Sequence, residues 1–117
     1  MYFHKTPKVL EWLYPGLTWH KSRKKKEVYL TFDDGPVPNA TDFVLSTLDS
    51  MGVKATFFCV GDNVRKNRAT YEKVLDGGHR VGNHTFNHLN GWKTSDDLYL
   101  ENFSKCTDIM NEEKDLL

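Results

Sequence analysis

The 117-residue sequence has little of several things, and each shortage narrows what it can be. Two cysteines, Cys59 and Cys106, are too few for the disulfide framework of a small secreted scaffold. Neither charge is in excess: sixteen Lys and Arg balance sixteen Asp and Glu, so no overall field draws the chain to nucleic acid or an anionic membrane. No stretch approaches the roughly 20 apolar residues that cross a bilayer. The apolar residues behind Lys5 and Lys8 are interrupted by Glu11 and Pro15, so no signal-peptide core forms. There is no internal repeat and no low-complexity tract. The length allows at most one domain. Cys59 sits in an apolar run and Cys106 on an apolar helical face, which reads as two buried thiols. The compartment stays open, with a soluble, reducing one such as the cytoplasm favoured. The densest charge run, Lys21-Ser22-Arg23-Lys24-Lys25-Lys26, leads directly into an apolar segment and reads as a solvated turn.

What is present is an alternation of strand and helix patterns. Val28 to Phe32 is rich in β-formers and stops at Gly35-Pro36, where proline removes a ladder donor. Thr41 can cap a helix with Val44, Leu48 and Met51 at helical spacing, ended by Gly52. Ala55 to Val60 is a continuous apolar run of the kind found in buried parallel strands. A second helix fits from Asn67 with Tyr71, Val74 and Leu75 apolar, stopping at Gly77-Gly78, and Arg80-Val81-Gly82 reads as a third strand. Thr94 to Asp97 resembles a capping box opening a helix with Tyr99, Phe103, Cys106 and Met110 on one side. This order predicts an α/β fold with a parallel sheet of about three βα units. The aperiodic residues 1–26 carry Trp12, Leu13, Leu17 and Trp19 and are expected to pack on the outside of that sheet.

In a parallel sheet, function gathers beyond the carboxyl ends of the strands. Asp33 and Asp34 end the first strand and His84 follows the third, so topology brings the two segments to one edge. Adjacent aspartates on a regular strand face opposite ways, so both can serve one site only if the chain bends there, as Gly35-Pro36 suggests. A polar turn is the plainer reading of Asp33-Asp34-Gly35-Pro36 taken alone. His84 and His88 share one face if their segment is helical. Thr85 stands where a zincin protease needs glutamate. Two imidazoles and one carboxylate suit either a catalytic zinc with an open position or a non-haem iron. His4, His20 and His79 lack carboxylate company and read as surface or packing residues. Asn83 and Asn87 are candidates to orient the imidazoles.

The segment Thr31-Phe32-Asp33-Asp34-Gly35-Pro36 resembles the first motif of polysaccharide deacetylases, the NodB-type domain of carbohydrate esterase family 4. His84-Thr85-Phe86-Asn87-His88 resembles their second, and the order of segments from Lys26 to Met110 follows the family throughout. The resemblance implies the N-terminal portion of a distorted (β/α) barrel. It implies that Asp34, His84 and His88 hold one divalent metal, most often zinc, and that Asp33 is the general base. It further implies hydrolysis of N-acetyl (or O-acetyl) groups on a glycan such as a chitin-like oligomer or peptidoglycan, releasing acetate.

The sequence also departs from the family. Later motifs supply an arginine that orients the base, a tryptophan-lined acetyl pocket and a histidine general acid. Here no histidine follows His88 and no arginine follows Arg80. Three βα units also fall short of a (β/α)8 barrel, which takes about 250 residues. The expected organisation is therefore a packing segment, 1–26, and a partial deacetylase domain, 27–117. Its open sheet edges would invite self-association. The alternative is a catalytically inactive metal- or glycan-binding fragment of the same fold. In either case Trp92 could stack on a sugar, although packing is its plainer role.

Overall fold

The β-rich stretch, the apolar run and the Arg-Val-Gly segment all become strands, though their ends differ from the sequence pattern. The computed structural model describes residues 5–22 and 24–112, so His4 lies outside the described residues. Strand β1 is Thr31–Gly35, β2 is Thr56–Cys59 and β3 is Arg80–Asn83. They form a parallel sheet in the order β1-β2-β3. Helix α1 (Lys8–Leu13) precedes the sheet, and α2 (Ala40–Ser50) joins β1 to β2. Two helices, α3 (Gly61–Lys66) and α4 (Arg68–Asp76), join β2 to β3, and α5 (Asp96–Asn111) follows. The α/β class and the parallel sheet therefore stand.

Register decides which face is buried. Phe32, Phe57 and Val81 lie in one row across the three strands. Phe57 belongs to a core with Leu48, Cys59, Val64, Tyr71 and Val74, against which Phe32 and Val81 pack. Val64 and Val74 keep no exposed surface. Each such side chain contributes roughly 1.5–3 kcal/mol by leaving water, so Val64 anchors α3, while Val74 and the larger buried Tyr71 anchor α4. The alternate rows, Thr31/Thr56/Arg80 and Asp33/Phe58/Gly82, fall on the other face. There the Phe58 ring lies over Gly82, where an added Cβ would come within 2.6 Å of it. Cys59 and Cys106 are both buried free thiols, as their apolar settings suggest.

Several local expectations are corrected. Val28 to Leu30 do not join β1: Val28 is 84 % exposed, and Tyr29 and Leu30 also face solvent. Only the Leu30 carbonyl engages β2, accepting from the Thr56 N–H at 3.0 Å, and among the described residues nothing covers these side chains. Helix α2 begins after Asn39, whose N–H donates to Asp42 Oδ2 at 3.1 Å. Thr41 instead lies within the first turn and accepts from the Val37 N–H at 2.9 Å. Gly52 does end this helix, with φ of +63°. Met51 and Leu75, which continue the apolar spacing, are exposed. Helix α3 is absent from the sequence pattern because its six residues, Gly-Asp-Asn-Val-Arg-Lys, bury only Gly61 and Val64. Ser95, not Thr94, precedes α5, while the Thr94 hydroxyl donates to the Asn90 carbonyl.

Residues 5–22 also differ from the packing segment suggested by their composition. Helix α1 buries none of its residues, and Val9, Trp12, Leu13 and Leu17 are each more than half exposed. The helix has no side-chain capping hydrogen bond at its start and stops just before Pro15 and Gly16. No helix among the described residues is long and apolar enough to cross a membrane.

Candidate metal centre

The β1–β2 ladder slips at Asp34. Asp33 pairs with Phe58, but the next pair is Gly35 with Cys59, leaving Asp34 as the extra residue of a bulge. Its φ is +68°, in the left-handed region that aspartate enters more readily than most residues. A bulge re-aims a side chain. Here it breaks the alternation by which a regular strand would point the two aspartates to opposite faces. The bend therefore falls on Asp34, one residue before the glycine that the sequence suggested. Helix α3 and its junction with α4 hold the backbone beyond it. Asn63 Nδ2 donates to the Asp34 carbonyl at 2.7 Å, and Asn67 Nδ2 to the Pro36 carbonyl at 3.1 Å. The Val60 N–H donates to the Gly35 carbonyl at 2.9 Å, and the Gly35–Pro36 peptide is cis.

The histidine segment leaves β3 with one more sheet bond, from the His84 N–H to the Cys59 carbonyl at 3.0 Å. It then forms a loop, so the shared face of a helical i, i+4 pair is not what brings the imidazoles together. Thr85 and His88 have φ of +61° and +56°. For a β-branched residue such as Thr85 this is strained and needs enforcement from its surroundings. The enforcement is visible. The Thr85 and Phe86 carbonyls accept from the Gly61 and Asp62 N–H groups at the start of α3, each at 3.0 Å. The Thr85 N–H donates to Asn83 Oδ1, and Thr85 Oγ1 accepts from the Leu89 N–H, each at 2.8 Å. Gly61 permits this close approach, since a Cβ there would come within 2.6 Å of the Phe86 ring and 3.1 Å of Cys106 Cα.

Bulge and loop together aim three donors at one point. Asp34 Oδ1 lies 3.2 Å from His84 Nε2 and 3.1 Å from His88 Nε2. One ligand atom from each residue falls within 4.8 Å of the others. Ligands about 2.0–2.1 Å from a tetrahedral zinc stand roughly 3.3 Å apart, so both measured separations fit a shared ion. The donor set of two imidazoles and one carboxylate also suits catalytic zinc, leaving a fourth position open. Asp34 and His88 are exposed and His84 is half-buried, so small molecules can reach that position. Burial pushes the Cys59 thiol up to about 12 and raises that of Cys106, so neither offers a thiolate. Asp33 stays on the strand row of Phe58 and Gly82, exposed and adjacent in sequence to Asp34. It borders an open depression of about 220 Å³ shared with Asp34, Val37 and Thr41.

The remaining sequence candidates fall elsewhere. His79 is buried, and its Nδ1 accepts from the Ala55 N–H at 3.2 Å, a packing role; His20 is exposed. Trp92 does not pack, being fully exposed. Asn83 and Asn87 bond away from the imidazoles: Asn83 Nδ2 donates to the Phe103 carbonyl and Thr107 Oγ1, and Asn87 Oδ1 accepts from Asn102 Nδ2. Two residues escaped the sequence reading. Asn63 gave no signal, lying in a polar stretch. Asn102 did give one, as an amide one helical turn before the buried Cys106.

Comparison with known proteins agrees with the fold. The polysaccharide deacetylase family profile matches residues 20–113. A peptidoglycan-N-acetylglucosamine deacetylase of Bacillus cereus is 43% identical over 86 residues, covering 74% of this chain and 40% of that protein. Among solved structures, the Bc1960 peptidoglycan N-acetylglucosamine deacetylase superposes with a TM-score of 0.75 at 40% identity, over 77% of this chain and 42% of the other. A family 4 acetyl xylan esterase from Clostridium thermocellum, solved with a cobalt ion, gives 0.66 at 34% identity, over 70% of this chain and 40% of the other. The chain thus spans about 40% of the length of these relatives. With the two motifs, the parallel sheet and a family match over most of its residues, this chain is a member of the polysaccharide deacetylase family, carbohydrate esterase family 4.

Proposed function

We propose that this chain carries the metal-holding and base residues of a hydrolase that removes acetyl groups from an acetylated glycan, releasing acetate. The observation that carries the reading is the convergence of His84 Nε2 and His88 Nε2 on Asp34 Oδ1 at 3.2 and 3.1 Å. Asp34, His84 and His88 would hold one divalent ion, with zinc the best match to the donor set. When bound, that ion supplies a Lewis acid and lowers the pKa of a water to about 7.

The chain's own residues define the rest. Asp33 stands next to Asp34 in sequence on an open strand row, where its carboxylate can take the proton of the attacking water. Attack on the acetamido carbonyl breaks the C–N bond and yields acetate and a free sugar amine. The amine also requires a proton. A non-catalytic metal- or glycan-binding role is the second reading, since Asp34, His84 and His88 can hold an ion without turnover. Chitin-like oligomers and peptidoglycan are the substrate classes of choice, since related deacetylases are named for peptidoglycan N-acetylglucosamine and chitooligosaccharides. The outer edges of β1 and β3 pair with no strand among the described residues, and self-association through them belongs to this reading.

Acetate release tests the proposal. The full chain, loaded with one equivalent of zinc, is offered N-acetylglucosamine oligomers and peptidoglycan. Release that Asp33→Asn abolishes supports the hydrolase. Stoichiometric zinc binding without release supports the second reading.

A further inference from the structure

We infer that Asn102 is a positioning residue for the metal centre, acting from α5 through the loop between the two histidines; this rests on the metal-centre reading above. Asn102 is a polar side chain on a helix face that otherwise turns toward the core. It is 9 % exposed, and four residues on, Cys106 is fully buried. A buried primary amide is costly unless its donors and acceptor are used. Here they are used on a single target. Asn102 Oδ1 accepts from the Phe86 N–H at 2.8 Å and from the Asn87 N–H at 2.9 Å. Its Nδ2 donates to Asn87 Oδ1 at 2.9 Å.

Those bonds fall on Phe86 and Asn87, the third and fourth residues of a five-residue span whose ends are the imidazole ligands. The span contains two left-handed residues, Thr85 and His88, that need outside support. The supports come from opposite sides. The first N–H groups of α3 take the loop's carbonyls, and Asn102 takes its N–H groups. Helix α5 is itself held at a fixed height, because Cys106 packs against Gly61, where no Cβ would fit. The amide thus transmits the rigid α3–α5 contact to the backbone carrying His84 and His88. Without it, the Asn87 N–H would lose its partner and the Phe86 N–H would keep only the Asn102 main-chain carbonyl, at 3.2 Å, so the imidazoles would sample a wider range of separations from Asp34.

The test is zinc affinity of the full chain, measured by competition with a chromophoric chelator, for wild type, Asn102→Leu and Val74→Ala. Val74 is a buried core residue on α4, so its truncation matches a general loss of stability. We expect Asn102→Leu to weaken zinc binding on the order of 10-fold, the low end for groups that orient ligands. It should also alter the visible spectrum of the cobalt-loaded protein, whereas Val74→Ala should leave both unchanged. Equal zinc affinity in wild type and Asn102→Leu overturns the inference, as does an equal loss in Val74→Ala. If Asn102→Leu does not fold, Asn87→Ala decides. It removes only the exposed partner of Asn102 Nδ2, and a several-fold weakening supports the inference while none overturns it. Failure of wild type itself to bind zinc would instead sink the metal-centre reading.

Discussion

The side chain of Asn63 donates to the main-chain carbonyl of Asp34 at 2.7 Å, across 29 residues of sequence. It ties helix α3 to the one strand residue in a left-handed conformation, so the carboxylate of Asp34 is aimed by a contact that does not touch it. Asn63→Ala should leave the fold intact but weaken zinc binding several-fold, read by the same chelator competition. Its cost to stability should be near 1 kcal/mol, the usual worth of one hydrogen bond.

The two aspartates should separate cleanly by experiment. Asp34→Asn removes an anionic ligand and should abolish stoichiometric zinc uptake, as should His84→Ala. Asp33→Asn should keep zinc at wild-type stoichiometry and lose acetate release. Metal analysis alongside turnover reads both, and loss of zinc in Asp33→Asn would show that the roles are reversed.

Metal should stabilise the chain by mass action. At free zinc about 100 times its Kd, the gain is about 2.7 kcal/mol. For a domain of this size that corresponds to a rise in Tm of roughly 10 °C. Thermal melts with zinc and with excess chelator check this, and His88→Ala should show no difference between the two.

His79 gives the chain an acid limit unrelated to the metal. Burial holds its pKa below the ordinary 6.5, and its Nδ1 must stay unprotonated to accept from the Ala55 N–H. The unfolded chain therefore binds a proton that the folded one refuses, so stability is fully present above 6.5 and falls as the pH drops below it. His79→Gln should flatten that part of the stability–pH curve, measured by urea melts in chelator.

Gly61 should tolerate no side chain. An added Cβ would meet Phe86 at 2.6 Å and the Cys106 backbone at 3.1 Å. Gly61→Ala should cost about 1–3 kcal/mol through overpacking. It should also reduce zinc affinity, because α3, Phe86 and α5 meet at that point.

How much of this was legible in the sequence depended on the range of the cause. The strands, most helices and the three side chains that converge, Asp34, His84 and His88, could be read from local runs and from two short motifs. The exposure of Val28 to Leu30 could not, because it depends on what lies beside β1. The reason the imidazoles meet was also misplaced. Helical spacing suggested it, but a loop produces it, and that loop's shape is imposed by α3 and by Asn102, whose contacts lie in other parts of the chain. Long-range amide-to-backbone bonds leave almost no periodic trace, which is why Asn63 went unseen.

The left-handed backbone of Asp34 limits how this centre can be lost without losing the fold. Asparagine and glycine accept a φ of +68°, and most other residues do so at a cost of about 1–2 kcal/mol. Neither of the two supplies an anionic ligand. A chain drifting from metal binding toward a purely structural or glycan-holding life would therefore pass most easily through Asn or Gly at position 34. Asparagine or glycine there in a homologue would mark a retained scaffold with a retired centre.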